Sequence, residues 1–197
     1  DNALGANTTA NYNTAVGSAS LDANTTGANN TAVGFASLGA NSTGTDNVAV
    51  GYGALDANLA SSNVAIGSGA MLVNTTGATN TAVGYLALDA NTTASNNVAI
   101  GSSALTATTT GHSNVAVGQS ALAANTTGQE NTALGAQALV TNTTASDNVA
   151  VGRQTMYANT TGTRNVAVGA YALDANTTVS DNTGVGYNAL TANTTGS

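Results

Sequence analysis

One pentapeptide governs what this chain can fold into. Asn47-Val48-Ala49-Val50-Gly51 recurs from end to end, and its closing glycine falls at Gly17, Gly34, Gly51, Gly67, Gly84, Gly101, Gly118, Gly135, Gly152, Gly169 and Gly186. Each step is seventeen residues, except Gly51 to Gly67, which is sixteen. A short fixed period means that each unit is one small piece of structure whose apolar face is buried only by its neighbours. The full unit reads Asn, Thr/Val, Ala, an aliphatic residue, Gly, two variable residues, Ala/Ser/Thr, Leu/Met, a variable residue, Ala, Asn-Thr-Thr, Gly/Ala and two variable residues. Asp1 to Asn11 is the tail of an earlier unit, and Ser197 stops short of completing one. Residues 1–197 therefore read as a single repeat domain of about eleven and a half coils, and as an excerpt of a longer fibre protein.

Seventeen residues are too few for a pair of helices, and Gly, Asn and Thr, which fill the unit, are poor helix formers. Val-Ala-Val and Ala-Leu-x-Ala are short apolar pieces bounded by turn residues. The expected fold is all-β: a parallel β-solenoid in which each unit is one coil of two short strands and two turns. At ~4.8 Å per coil such a rod is roughly 55 Å long.

Composition excludes several functions. Pro is absent, in keeping with strands that have neighbours on both sides, where a Pro would delete a ladder hydrogen bond. Cys is absent, which removes disulfides and thiolate metal sites. Two Arg and no Lys stand against nine acidic residues, so a basic nucleic-acid-binding surface is excluded. No apolar run is long enough to insert in a membrane. His112, the single histidine, lies in a turn between Gly111 and Ser113 with no acidic neighbour in sequence. A zinc site needs three or four ligands and a hydrolytic triad needs a base oriented by a buried carboxylate, and the pattern marks neither. No unit departs from its neighbours enough to build the carboxylate-lined cleft of a solenoid enzyme. The expectation is a chain without cofactor, metal or catalysis.

Alternation assigns the faces. The position of Val50 is aliphatic in every unit, which places it in the coil interior, facing the Leu/Met column of Leu55 and Met71. Ala49, Gly51, Ala65, Gly67, Ala82, Gly84, Ala99 and Gly101 then point the other way. Columns held to Ala and Gly imply another backbone close against them, and one thin core per coil leaves burial to be found elsewhere. These residues are the predicted contact between sister chains, in a homo-oligomer for which a trimer is the simplest arrangement.

An Asn opens each unit: Asn13, Asn30, Asn47, Asn63, Asn80, Asn97, Asn114, Asn131, Asn148, Asn165 and Asn182. A second Asn column opens the Asn-Thr-Thr turn and is broken at Thr108. Stacked amides hydrogen-bond along an axis and Asn tolerates turn conformations, so both columns read as structural ladders. Asp22, Asp56 and Asp89 occupy alternate coils of one column, which keeps like charges apart. Arg164 falls between Asp147 and Asp181, which predicts a surface ion-pair ladder.

Asn97-Val98-Ala99-Ile100-Gly101-Ser102-Ser103-Ala104 resembles the head repeat of the trimeric autotransporter adhesins, and the likeness runs unit by unit along the chain. It implies a left-handed parallel β-roll, three chains to a head, displayed on a bacterial surface and binding host matrix or cells. The family coil is usually about fourteen residues, and here the Asn-Thr-Thr turn lengthens it to seventeen. The run Ala-Leu-x-Ala-Asn-Thr-Thr-Gly is also similar to shaft repeats of phage tail fibres.

The expected function is structural: an extracellular shaft or head at a cell surface, or at a virion surface if it is a phage fibre, adhering in part through its own exterior. The exposed variable residues after each glycine, among them Phe35, Tyr52, Tyr85, Arg153 and Tyr187, could contact a host surface or glycan, since aromatic rings stack on sugars. An alternative of another class is ice binding through stacked threonines such as Thr75-Thr76 and Thr92-Thr93.

Overall fold

The computed structural model describes residues 2–194; residues 1 and 195–197 of the repeat domain lie outside the described residues. The chain forms a parallel β-solenoid with one coil per sequence unit. Each coil contributes one three-residue strand: β1 (Thr14–Val16), β2 (Thr31–Val33), β3 (Val48–Val50), β4 (Val64–Ile66), β5 (Thr81–Val83), β6 (Val98–Ile100), β7 (Val115–Val117), β8 (Thr132–Leu134), β9 (Val149–Val151), β10 (Val166–Val168) and β11 (Thr183–Val185). The strands make one eleven-stranded parallel sheet in chain order. Register is strict: Ala49 lies over Ala65 and Val50 over Ile66, and the sixteen-residue coil keeps this alignment.

The second strand expected at Ala-Leu-x-Ala does not form. That segment is a succession of turns with two residues per coil at positive φ, such as Ala36 (53°) and Leu38 (51°). Its amides still bond between coils, in both directions. Ala36 N–H donates to Ser18 O of the preceding coil (3.0 Å), and Leu38 N–H to Ala54 O of the following one (3.0 Å). Backbone polarity is thus satisfied along the rod by a non-extended conformation.

The sheet's two faces are the reverse of the expected ones. Ala32, Ala49, Ala65, Ala82, Ala99, Ala116, Ala133, Ala150 and Ala167 are wholly buried, whereas the residues on either side of them in each strand are half-buried or exposed. Ala49, Ala65, Ala82 and Ala99, predicted to touch a sister chain, instead fill the interior of their own. The reason is room. Inside each coil the sheet alanine meets the Leu/Met column, a second small column (Ala54, Ala70, Ala87, Ala104) and asparagine amides, all fully buried. A methyl is what fits in the space that remains.

Gly51, Gly67, Gly84 and Gly101 are half-buried, and their smallness is also explained within one chain. At φ +135°, a Cβ added to Gly51 would lie 2.5 Å from the carbonyl oxygen of Gly67 in the next coil. The backbone pressed against this column is therefore the chain's own.

Candidate functional site

The interior holds two files of amides. In the first, the main-chain N–H of each asparagine from Asn30 to Asn182 donates to the Oδ1 of the one a coil earlier, at 2.9–3.1 Å. The Nδ2 groups donate to turn carbonyls, as Asn30 does to Gly44 (2.8 Å) and Asn97 to Gly111 (2.9 Å). Asn30, Asn47, Asn63, Asn80, Asn97, Asn114, Asn131, Asn148, Asn165 and Asn182 are buried, and Asn13 is half-buried. In the second file Asn91 Nδ2 donates to Asn74 Oδ1 (2.6 Å) and Asn142 Nδ2 to Asn125 Oδ1 (3.0 Å). These asparagines belong to Asn-Thr-Thr triplets, and their burial keeps them from any glycosyl transfer on the folded chain.

The second file has faults at Thr108, at the sixteen-residue coil and at Asn176, whose Oδ1 is buried without a partner. Thr108 replaces Asn in the second file, and its hydroxyl donates to Asn125 O (3.0 Å). At the sixteen-residue coil, Asn58 Nδ2 turns to Ala60 O (2.8 Å), and Asn41 Oδ1 is left buried without a partner.

Outside, four columns are available to a partner. The first pair flanks the buried alanines: Val48 with Val50, Val64 with Ile66, Thr81 with Val83, Val98 with Ile100, Val115 with Val117 and so on through β11. Ile66, Ile100, Leu134, Val166 and Val168 are each at least 37% exposed. The outline of the face spans ~48 Å by ~10 Å, with half-buried and exposed aliphatics and threonines on either side of the buried alanines.

The third column carries the residue after each glycine. Phe35, Tyr52, Tyr85, Arg153 and Tyr187 all occupy it and all are exposed. The Phe35 and Tyr52 rings stack at 5.4 Å and 12°. Arg153 lies over the ring of Tyr171, 4.7 Å from its centroid.

The fourth column is threonine. From Thr25 to Thr160 the first hydroxyl of the Asn-Thr-Thr triplets bonds to a carbonyl of the next coil, as Thr75 does to Thr92 O (2.9 Å) and Thr126 to Thr143 O (3.0 Å). The second threonine, including Thr76, Thr93, Thr110, Thr127 and Thr144, is exposed. One rank of exposed hydroxyls runs along the rod, interrupted at Ala60.

Arg164 and Asp181 form a bidentate pair, Nε to Oδ1 at 2.7 Å and Nη2 to Oδ2 at 2.8 Å. The pair holds the Asp181 carboxyl below its usual range, chiefly through that hydrogen bond, and Asp147 acts on Arg164 through charge alone. His112 sits half-buried beside Ser113, with Nδ1 3.3 Å from the Ser113 Oγ. Among the described residues no group of three His, Asp or Glu converges as metal ligands would.

Comparison with known protein families, with characterised proteins and with solved structures gives no match.

The outward Val-x-Val face is the feature that sequence reasoning misassigned, whereas the residues after each glycine are exposed as expected. The signal that fixes it was present: Asn47 and Ala49 share a parity, and an unbroken amide file belongs inside a rod.

Proposed function

We propose that this chain is a non-catalytic structural segment of an extracellular fibre, a stiff shaft or head of the bacterial surface type. In this reading it self-associates, with three chains the simplest closure, and contacts host surfaces through its exterior. One observation carries the reading. A sheet face of half-buried and exposed Val, Ile, Leu and Thr runs the length of the rod with no part of the chain covering it fully. Isolated exposed aliphatics are ordinary, but a continuous face of this length marks an interaction surface. Like columns at ~4.8 Å spacing suit an identical rod, because every coil offers its copy the same contact.

The sister-chain contact thus moves from the alanines and glycines to Val48, Val50 and their equivalents. The left-handed coil implied by the adhesin-like repeat fits the same assembly.

Sedimentation equilibrium tests the assembly. The wild-type chain is expected to run as a single oligomer of three at micromolar concentration, and the double variant Val83→Lys, Val117→Lys as a folded monomer with an unchanged circular dichroism spectrum. A wild-type monomer would overturn the reading, as would an oligomer indifferent to both lysines.

A further inference from the structure

We infer that the coils of β8 to β11 bind a sugar carrying a carboxylate, a uronic or sialic acid, at Arg153, Tyr171 and Tyr187. The starting point is charge. The chain has two arginines, no lysine and a formal net charge of −7. Arg164 is committed to Asp181 through two hydrogen bonds. Arg153 forms no ion pair among the described residues, and so it is the free permanent cation of an acidic rod.

Its surroundings fix how it is presented. The guanidinium rests on Tyr171, 4.7 Å from the ring centroid, a stack that holds its plane and leaves its N–H edges for a ligand. Tyr187 meets Tyr171 edge-on, with centroids 6.0 Å apart and planes at 87°. The two rings form a corner, and the exposed Tyr187 offers a face on which a pyranose can stack.

Beside Arg153, Gln154 Nε2 donates to Gln137 Oε1 at 2.8 Å. That bond fixes the Gln154 amide and leaves its oxygen as an acceptor for a sugar hydroxyl. A forked cation, a stacking face and the neighbouring Gln154 amide match a carboxylate on a pyranose ring. The Phe35–Tyr52 stack has no charge or amide beside it, so nothing there selects a ligand in the same way.

The inference deepens the adhesive part of the fibre reading. It is measured by binding, whereas the fibre reading is measured by sedimentation, so each can fail alone.

Saturation-transfer NMR on the whole chain, with methyl glucuronide as probe, tests it. Saturable binding is expected, with methyl glucoside and acetate each about tenfold weaker or worse. Arg153→Gln and Tyr187→Ala should each lose about tenfold, and Arg164→Gln should bind as wild type does. Both test variants preserve the coil, since Gln119 and Ala170 hold the same column elsewhere. Equal binding of glucoside and glucuronide would overturn the proposal. So would acetate or a glucoside sulfate matching glucuronide, or an Arg153→Gln variant that binds unchanged.

Discussion

Leucine or methionine stands in the left-handed backbone region once in every coil. From Leu21 to Leu190 the column holds φ between 51° and 55°. A bulky residue there costs about 1–2 kcal/mol. From Leu21 to Leu173 the cost is offset because the side chain is wholly buried and the amide bonds to the next coil, as Leu105 N–H does to Ala121 O at 3.0 Å. Branching at Cβ raises the cost further, which explains why the column contains Leu and Met and never Val or Ile. Leu105→Val should therefore destabilise by about 2–3 kcal/mol in urea melts, and Leu105→Met by less than about 1.5 kcal/mol. Equal losses would mean that volume alone sets the residue. A smaller effect concerns Asp56, whose carboxyl is raised from 3.8 by burial. Its protonated form is favoured in the folded chain, so its contribution is most favourable below about 3.8 and is lost as pH rises through the folded value. Asp56→Asn should raise Tm at pH 7, and the gain should vanish near pH 3; a gain independent of pH would exclude desolvation as its cause. The sequence made the Leu column legible as core but concealed its backbone, because an αL leucine and a β leucine are spelled alike.

At the scale of the coil, the period, the parallel register and the stacking could be read from the repeat, and the division of labour within the coil could not. Ala-Leu-x-Ala looks like half a strand because apolar alternation is blind to the sign of φ. Val-Ala-Val was turned over for a different reason: large aliphatics were assumed to seek the interior, when the interior was already occupied by leucine and amides. Regularity also shows where the coil is faulty. At the sixteen-residue coil Asn41 Oδ1 is buried and unpaired: Asn58 Nδ2 keeps the own-turn bond that Asn41 and Asn74 also make, without the bond to the preceding coil that Asn74 adds. An unsatisfied buried acceptor costs about 1–3 kcal/mol. Inserting one threonine between Leu59 and Ala60 restores the seventeen-residue phrase and is expected to recover about 1 kcal/mol, read as a higher Tm. A lower Tm would show that the short turn is itself the better-fitted one.

For the molecule as a whole, these features define a rod whose stability is the sum of similar coils and the contacts between them, each coil depending on its neighbours. The interior of one chain is narrow: alanine methyls, one leucine and paired amides per coil. Its largest unburied apolar resource is the Thr/Val-x-Val face, which lies on a single side of the sheet. A second and third rod placed along it would cover one or two aliphatic residues per coil without altering any bond inside the first. Association of that kind couples to unfolding, because the oligomer binds folded chains and not unfolded ones. The melting temperature should then rise with protein concentration across a hundredfold dilution series. In the Val83→Lys, Val117→Lys variant it should be independent of concentration and lower. A wild-type Tm that stays constant on dilution while the chain remains oligomeric would place the sister-chain contact outside the cooperative unit. The single rod would then be stabilised by its own leucine and alanine core, sheet ladder and amide files.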